Sequence, residues 1–173
     1  EKDKRLRLIS EEVTFPLTKE DKELIDKMVT YLHDSQIEKL AKKYDLRPGM
    51  GMAAIQLGVA KRYLTIVHEV GEEEFDTYVI CNPKIISNSE EKIYVDMGEG
   101  CLSVNRDVEG IVPRYARVTV EGYDTDGNKI RIRAREELAI AFQHEIDHLN
   151  GILFIDHIDK KNPYKDQDKY RAI

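Results

Sequence analysis

Residues 135–151, REELAIAFQHEIDHLNG, decide how this chain is read. Leu138, Phe142, Ile146 and Leu149 recur at three- and four-residue steps, the period of an α-helix with one apolar face. Asn150-Gly151 is a stop signal, because glycine accepts the left-handed backbone that closes many helices. Ala141, His144, Glu145 and His148 take the opposite side. A helix with both sides committed predicts burial within β-structure rather than a place on the surface.

The same stretch contains H-E-x-x-H, which sets His144 and His148 one turn apart on a single helix face, where both imidazoles reach one ion. Glu145 then stands beside that ion, suited to take a proton from water. The competing reading is a solvated helix side with histidines at this spacing by chance. Burial weighs against it, since unpaired buried imidazole and carboxylate groups carry a desolvation penalty. A hydrolytic metal site uses three protein ligands and an open fourth place, so one more donor is needed. His157, Glu136 and Glu137 are the nearest candidates, although His157 in FIDHI is equally an ordinary strand residue.

Two segments further upstream also bear on the chemistry, and each alone is weaker evidence. Cys101 in Gly98-Glu99-Gly100-Cys101-Leu102-Ser103 lies between glycines and a small polar residue, accessible as a thiolate ligand, though cysteine is also a common small core residue. Cys81, in an apolar run before Asn82-Pro83, fits the core reading better. Gly49-Met50-Gly51-Met52-Ala53-Ala54-Ile55-Gln56 places two glycines where backbone can approach a ligand closely. It lacks the Lys-Ser/Thr ending of a phosphate loop.

The rest of the chain reads as α+β. Thr18 to Tyr44 has helical spacing throughout and predicts one long amphipathic helix, with a slip in phase near Asp34-Ser35 that marks a bend. Tyr63–His68 and Tyr78–Cys81 read as short strands. Val118–Tyr123 and Lys129–Arg133 flank Asp126-Gly127 and read as a hairpin. Ile152–Ile158 reads as another strand, and the polar tail from Asn162 is expected to be poorly ordered at its end. The expected architecture is antiparallel β-structure around a central buried helix carrying H-E-x-x-H, plus a long N-terminal amphipathic helix. One domain over residues 1–173 is expected, without repeats or linkers.

Composition narrows the function classes. With 41% hydrophobic and 35% charged residues the chain suits a soluble globular protein, and no apolar run is long enough for a membrane span. The net charge of −6, with Lys and Arg scattered among acids, argues against a nucleic-acid surface. Two cysteines and no secretory pattern behind EKDKRLRLIS suggest a reducing compartment. The sequence opens on Glu1 rather than Met, so further residues upstream are expected.

Taken in order, GMGMAAIQ, EGCLS and QHEIDHLNG resemble the three signature motifs of the peptide deformylase family, spanning Gly49 to Gly151. NRDVEGIVPRY after EGCLS, together with the chain length, is similar to the longer, type II subclass associated with Gram-positive bacteria. Ile55 stands where many members carry proline or another residue before the glutamine, a departure that leaves Gln56 in place and alters only loop stiffness. The resemblance implies Cys101, His144 and His148 as metal ligands, and Glu145 as general acid/base. It gives Gln56 and the Leu102 backbone N–H to the oxyanion. It implies backbone pairing of an extended peptide at Gly51, with Met50 and Met52 as candidate pocket residues. The implied cofactor is one divalent ion, Fe2+ natively, with Ni2+, Co2+ or Zn2+ as substitutes. The implied activity is hydrolysis of the N-formyl group of N-formylmethionyl peptides, releasing formate. A nascent chain, and with it the ribosome, are the implied partners, the protein acting as a cytoplasmic monomer. Against this stand a zinc endopeptidase of the H-E-x-x-H kind and a catalytically silent binding module. Retention of both Glu145 and Gln56 weighs against the silent module.

Overall fold

Tyr63 to Val67 is apolar at every position but Thr65, and all five residues are buried, as a strand covered on both faces requires. In the computed structural model, which describes residues 1–173, this run lies in β2 (Tyr63–Gly71), flanked by β1 (Gly51–Ala53) and β3 (Glu74–Asn88). The hairpin of β6 (Arg117–Tyr123) and β7 (Lys129–Arg135) completes a five-stranded sheet ordered β1-β2-β3-β6-β7, antiparallel throughout. A smaller sheet joins β4 (Lys92–Tyr94), β5 (Arg114–Tyr115) and β8 (Arg171–Ala172). The fold is α+β.

Three helices accompany the sheets: α1 (Lys19–Ser35), α2 (Glu38–Tyr44) and α3 (Glu136–Leu149). Strand alternation sends Leu64, Ile66 and Ile80 to one face of the large sheet, where they meet Leu138, Phe142, Ile146 and Leu149 of α3. Tyr63, Val67 and Cys81 point the other way, onto Met28 and Leu32 of α1. Cys81 is fully buried and not disulfide-bonded, and burial pushes its thiol up to about 12. Helix α3 leaves β7 without a connecting loop, through Glu136 in the left-handed region at φ 54°, and its N–H is bound by the Ala116 carbonyl. Everything in α3 except Glu136, Glu137 and Asp147 is buried. No helix is long and apolar enough to cross a membrane.

Three sequence expectations are corrected. The helix read over 18–44 is two helices. Gln36 ends the first by donating its side-chain amide to the carbonyls of Leu32, Gly49 and Val67, and this tie draws the chain away from the helical path. Ile152–Ile158 holds a single 3-10 turn, Phe154–His157, instead of a strand. The Asp156 carboxylate accepts from the Leu153 N–H and closes a local turn that an extended chain would not permit. The tail is ordered, because β8 pairs in parallel with β4 and Arg171 binds both Glu91 and Glu136.

The N-terminus of α1 is fixed by Thr18, whose Oγ1 accepts from the Asp21 N–H at 3.1 Å. Asp21 in turn accepts from the buried Tyr63 hydroxyl at 2.9 Å and pairs with Lys61 at 2.8 Å, so α1 is latched to β2. Burial works to raise the Asp21 carboxyl, but the bonds from Lys61, Tyr63 and Thr18 outweigh it and hold it below its ordinary 3.8. A depressed carboxyl stabilises the fold above its unfolded value and loses that contribution as pH falls. Asp21→Asn should therefore cost about 1–2 kcal/mol in urea unfolding near neutral pH. The gap to the unaltered protein should close as pH drops below 3.8. A gap that stays constant as pH falls well below 3.8 would show that the charge contributes nothing.

Candidate metal centre

Two buried imidazoles and a buried thiol converge below the large sheet. His144 and His148 come from consecutive turns of α3, and Cys101 comes from the loop between β4 and β5. Their ligand atoms lie within 4.8 Å of one another, with Cys101 Sγ 3.2 Å from His148 Nε2. All three are less than a tenth exposed. Burial, and then the neighbouring His144, draw His148 down to about 3. Burial also acts to lower His144, but Glu145, Cys101 and Glu99 outweigh it and push that ring up to about 10, so a cation bound by both rings displaces the His144 proton.

What brings the loop to the helix is a chain of ion pairs. Arg114, at the start of β5, grips the Glu99 carboxylate with Nε and Nη2, both at 2.9 Å, and reaches Asp147 of α3 with Nη1 at 2.7 Å. Glu99 also accepts from His144 Nδ1 at 2.9 Å, which turns Nε2 of that ring toward the centre. Burial pushes the Glu99 carboxyl upward, but His144 and Arg114 outweigh it and hold it at about 2. His157 closes the chain at Asp147, 2.7 Å away. Gln143 fixes the helix from the side, exchanging hydrogen bonds with both the N–H and the carbonyl of Tyr115.

Glu145 is buried against β1, and its Oε1 has no hydrogen-bond partner, nor has Nδ1 of His148. Burial, only partly opposed by His144 and Arg114, pushes the Glu145 carboxyl up to about 7, the range in which a group exchanges protons at neutral pH. Gly51 makes room for it: a Cβ there would sit 2.6 Å from Glu145 Oε2. Gln56 is oriented by its own backbone, since its Oε1 accepts from the Ala53 N–H at 2.9 Å. Nε2 is thereby aimed at Ser103 Oγ, 3.0 Å away, and Cys101 Sγ, 3.8 Å away. A cavity of about 290 Å³ opens onto these groups, lined by Met50, Gly51, Leu102 and Ile140 beside His144 and Glu145.

The donor set fits a divalent first-row ion. One thiolate and two imidazoles make three ligands, a neighbouring carboxylate is held without a partner, and an adjoining cavity gives water and substrate access. Of the alternatives for the third ligand, His157 is bound to Asp147 and Glu136 to Arg171, while Glu137 stands at the cavity wall. Met52 is a correction. Between Gly51 and Ala53 the strand turns its side chain to the opposite face, where it is buried with Met28 and Tyr63, away from the cavity. Glu99, Arg114 and Asp147 were not singled out by the sequence reading. Glu99 lies inside a quoted motif, but nothing in spacing alone ties it to an arginine fifteen residues on.

The family model described as polypeptide deformylase matches residues 1–164. The chain is 52% identical over 170 residues to a peptide deformylase of Macrococcus caseolyticus, covering 97% of this chain and 92% of that protein. It is 46% identical over 168 residues to peptide deformylase 2 of Bacillus subtilis, covering 97% and 91%. The Met-Ala-Ser-bound crystal structure of a class I type b peptide deformylase from Acinetobacter baumannii superposes with a TM-score of 0.74 at 28% identity, covering 91% and 94%.

Replacing Arg114 by methionine leaves the buried Glu99 carboxylate and the partly exposed Asp147 carboxylate without their shared cation. Arg114→Met should cost about 3–5 kcal/mol in urea unfolding. It should also weaken retention of a divalent ion against a chelator. A loss below about 1 kcal/mol with unchanged ion retention would remove Arg114 from this role.

Proposed function

That this chain belongs to the peptide deformylase family is the premise from which we propose how its residues act: it hydrolyses the N-formyl group of N-formylmethionyl peptides and releases formate. The observation that carries the reading is the convergence of Cys101, His144 and His148 beside an unpartnered Glu145 carboxylate at the wall of a cavity.

Cys101, His144 and His148 would hold the ion, which supplies Lewis acidity by acidifying water and polarising a carbonyl. Glu145, raised by burial, takes a proton at its carboxylate and returns it to the amine that departs as the new N-terminus. Gln56 offers Nε2 to the formyl oxygen as charge collects there, and glutamine suits this because it donates without titrating. The Leu102 backbone N–H is the second donor to that oxygen. The methionine side chain enters the cavity between Met50 and Ile140, where a flexible thioether fills an irregular apolar space. Gly51, on the edge strand β1, pairs through its backbone with the extended peptide. Fe2+ is the native ion in this reading, and Ni2+, Co2+ and Zn2+ suit the same thiolate and imidazole donors. The same reading has residues 1–173 acting as one domain and as a monomer, on nascent chains at the ribosome in the cytoplasm.

Glu145→Gln keeps the size of the side chain and removes its proton transfer. Formate release from formyl-Met-Ala-Ser should fall by roughly 10²–10⁴-fold, with ion content unchanged. Turnover within a few-fold of the unaltered protein, at equal ion content, would take the acid/base role from Glu145.

A further inference from the structure

The wall of the cavity formed by α3 follows one helical face: Glu137, Ile140, Ala141, His144 and Glu145. Four of these five are buried, whereas the Glu137 side chain is 69% exposed. Its nearest basic neighbour is His68 Nε2, at 3.6 Å. Seven residues separate Glu137 from His144, about 10 Å along the helix axis. That exceeds the reach of a methionine side chain from the reacting carbon and equals about three residues of extended peptide.

An acid in the first turn of a helix has an ordinary explanation in the helix dipole. The two acids in this turn differ, however. Glu136 is held by the Arg171 guanidinium at 2.6 Å and 2.9 Å, while Glu137 faces the cavity. The other carboxylates around the cavity are already paired or buried, and the one arginine is bonded to neutral acceptors. Glu99 is neutralised by Arg114, Glu145 is buried, and Arg47 on the loop wall donates to Asn105 Oδ1 and the Val104 carbonyl. Glu137 is the carboxylate of this cavity that remains open to a substrate's own cation.

We propose that Glu137 is a specificity residue, whose carboxylate favours formylmethionyl peptides carrying lysine or arginine at the first or second residue after methionine. This rests on the deformylase reading of the site. The interaction is exposed, so its effect is small, salt-dependent and expressed in KM more than in kcat.

The test compares kcat/KM for formyl-Met-Lys-Ala and formyl-Met-Ala-Lys with their glutamate counterparts, at low and high salt. The unaltered protein should prefer lysine over glutamate by on the order of threefold at one of these positions, and high salt should compress the ratio. Glu137→Gln should bring the ratio close to one, and Glu137→Lys should reverse it. A purely helix-capping role would lower the unfolding midpoint of these variants and leave the ratio where it was. A ratio of one in the unaltered protein, or a ratio that Glu137→Gln leaves in place, overturns the proposal. Absence of turnover on all four peptides overturns the deformylase reading, and this proposal with it.

Discussion

Arg114 is the constraint on which the centre depends. Its guanidinium is buried between Glu99 of the loop and Asp147 of α3, and together with the Glu99–His144 bond it joins those two segments. Removing one partner from such a buried group strands the others in a low dielectric, which makes the arrangement all-or-none. The consequence is positional. Glu99 is brought onto His144 Nδ1, Cys101 lies two residues beyond, and its sulfur reaches His148. The loop is held on the helix by Arg114 and by the Glu99–His144 bond together.

The helix it meets is unusual in what it buries. Gln143, His144, Glu145 and His148 are all in the interior, where polar groups are stable only when partnered. Gln143 is satisfied by Tyr115 and His144 by Glu99, but Glu145 Oε1 and His148 Nδ1 are left without partners. A site that buries such groups gives up stability for chemistry, and the apolar packing of Phe142, Ile146 and Leu149 against the sheet offsets the loss. The same economy of space appears at Gly51, where a side chain would collide with the Glu145 carboxylate.

Much of this was legible in the chain itself, for physical reasons that differ by element. The α3 helix announces itself because its apolar period and its H-E-x-x-H spacing coincide in one stretch, and the β6–β7 hairpin because Asp126-Gly127 separates two alternating runs. The break after Ser35 was visible only as a slip in phase, since Gln36 ends the helix through carbonyls of Gly49 and Val67 that are distant in sequence. The end of the tail read as poorly ordered because its residues are polar, yet its order comes from pairing with Tyr94 and from Arg171 with Glu91 and Glu136, all long-range. Met52 shows the limit of proximity as an argument: one step along a strand moves a side chain from the cavity to the opposite core. The Arg114 chain was invisible for the same reason as the tail, being made entirely of tertiary contacts.

In the proposed centre, one thiolate and two imidazoles grip a single cation. X-ray absorption at the metal edge, on protein prepared without oxygen and loaded with Fe2+ or Co2+, measures this directly. The account predicts one sulfur and two imidazole nitrogens in the ion's coordination shell, with the sulfur lost in Cys101→Ser. A shell of oxygen and nitrogen alone in the unaltered protein would contradict it.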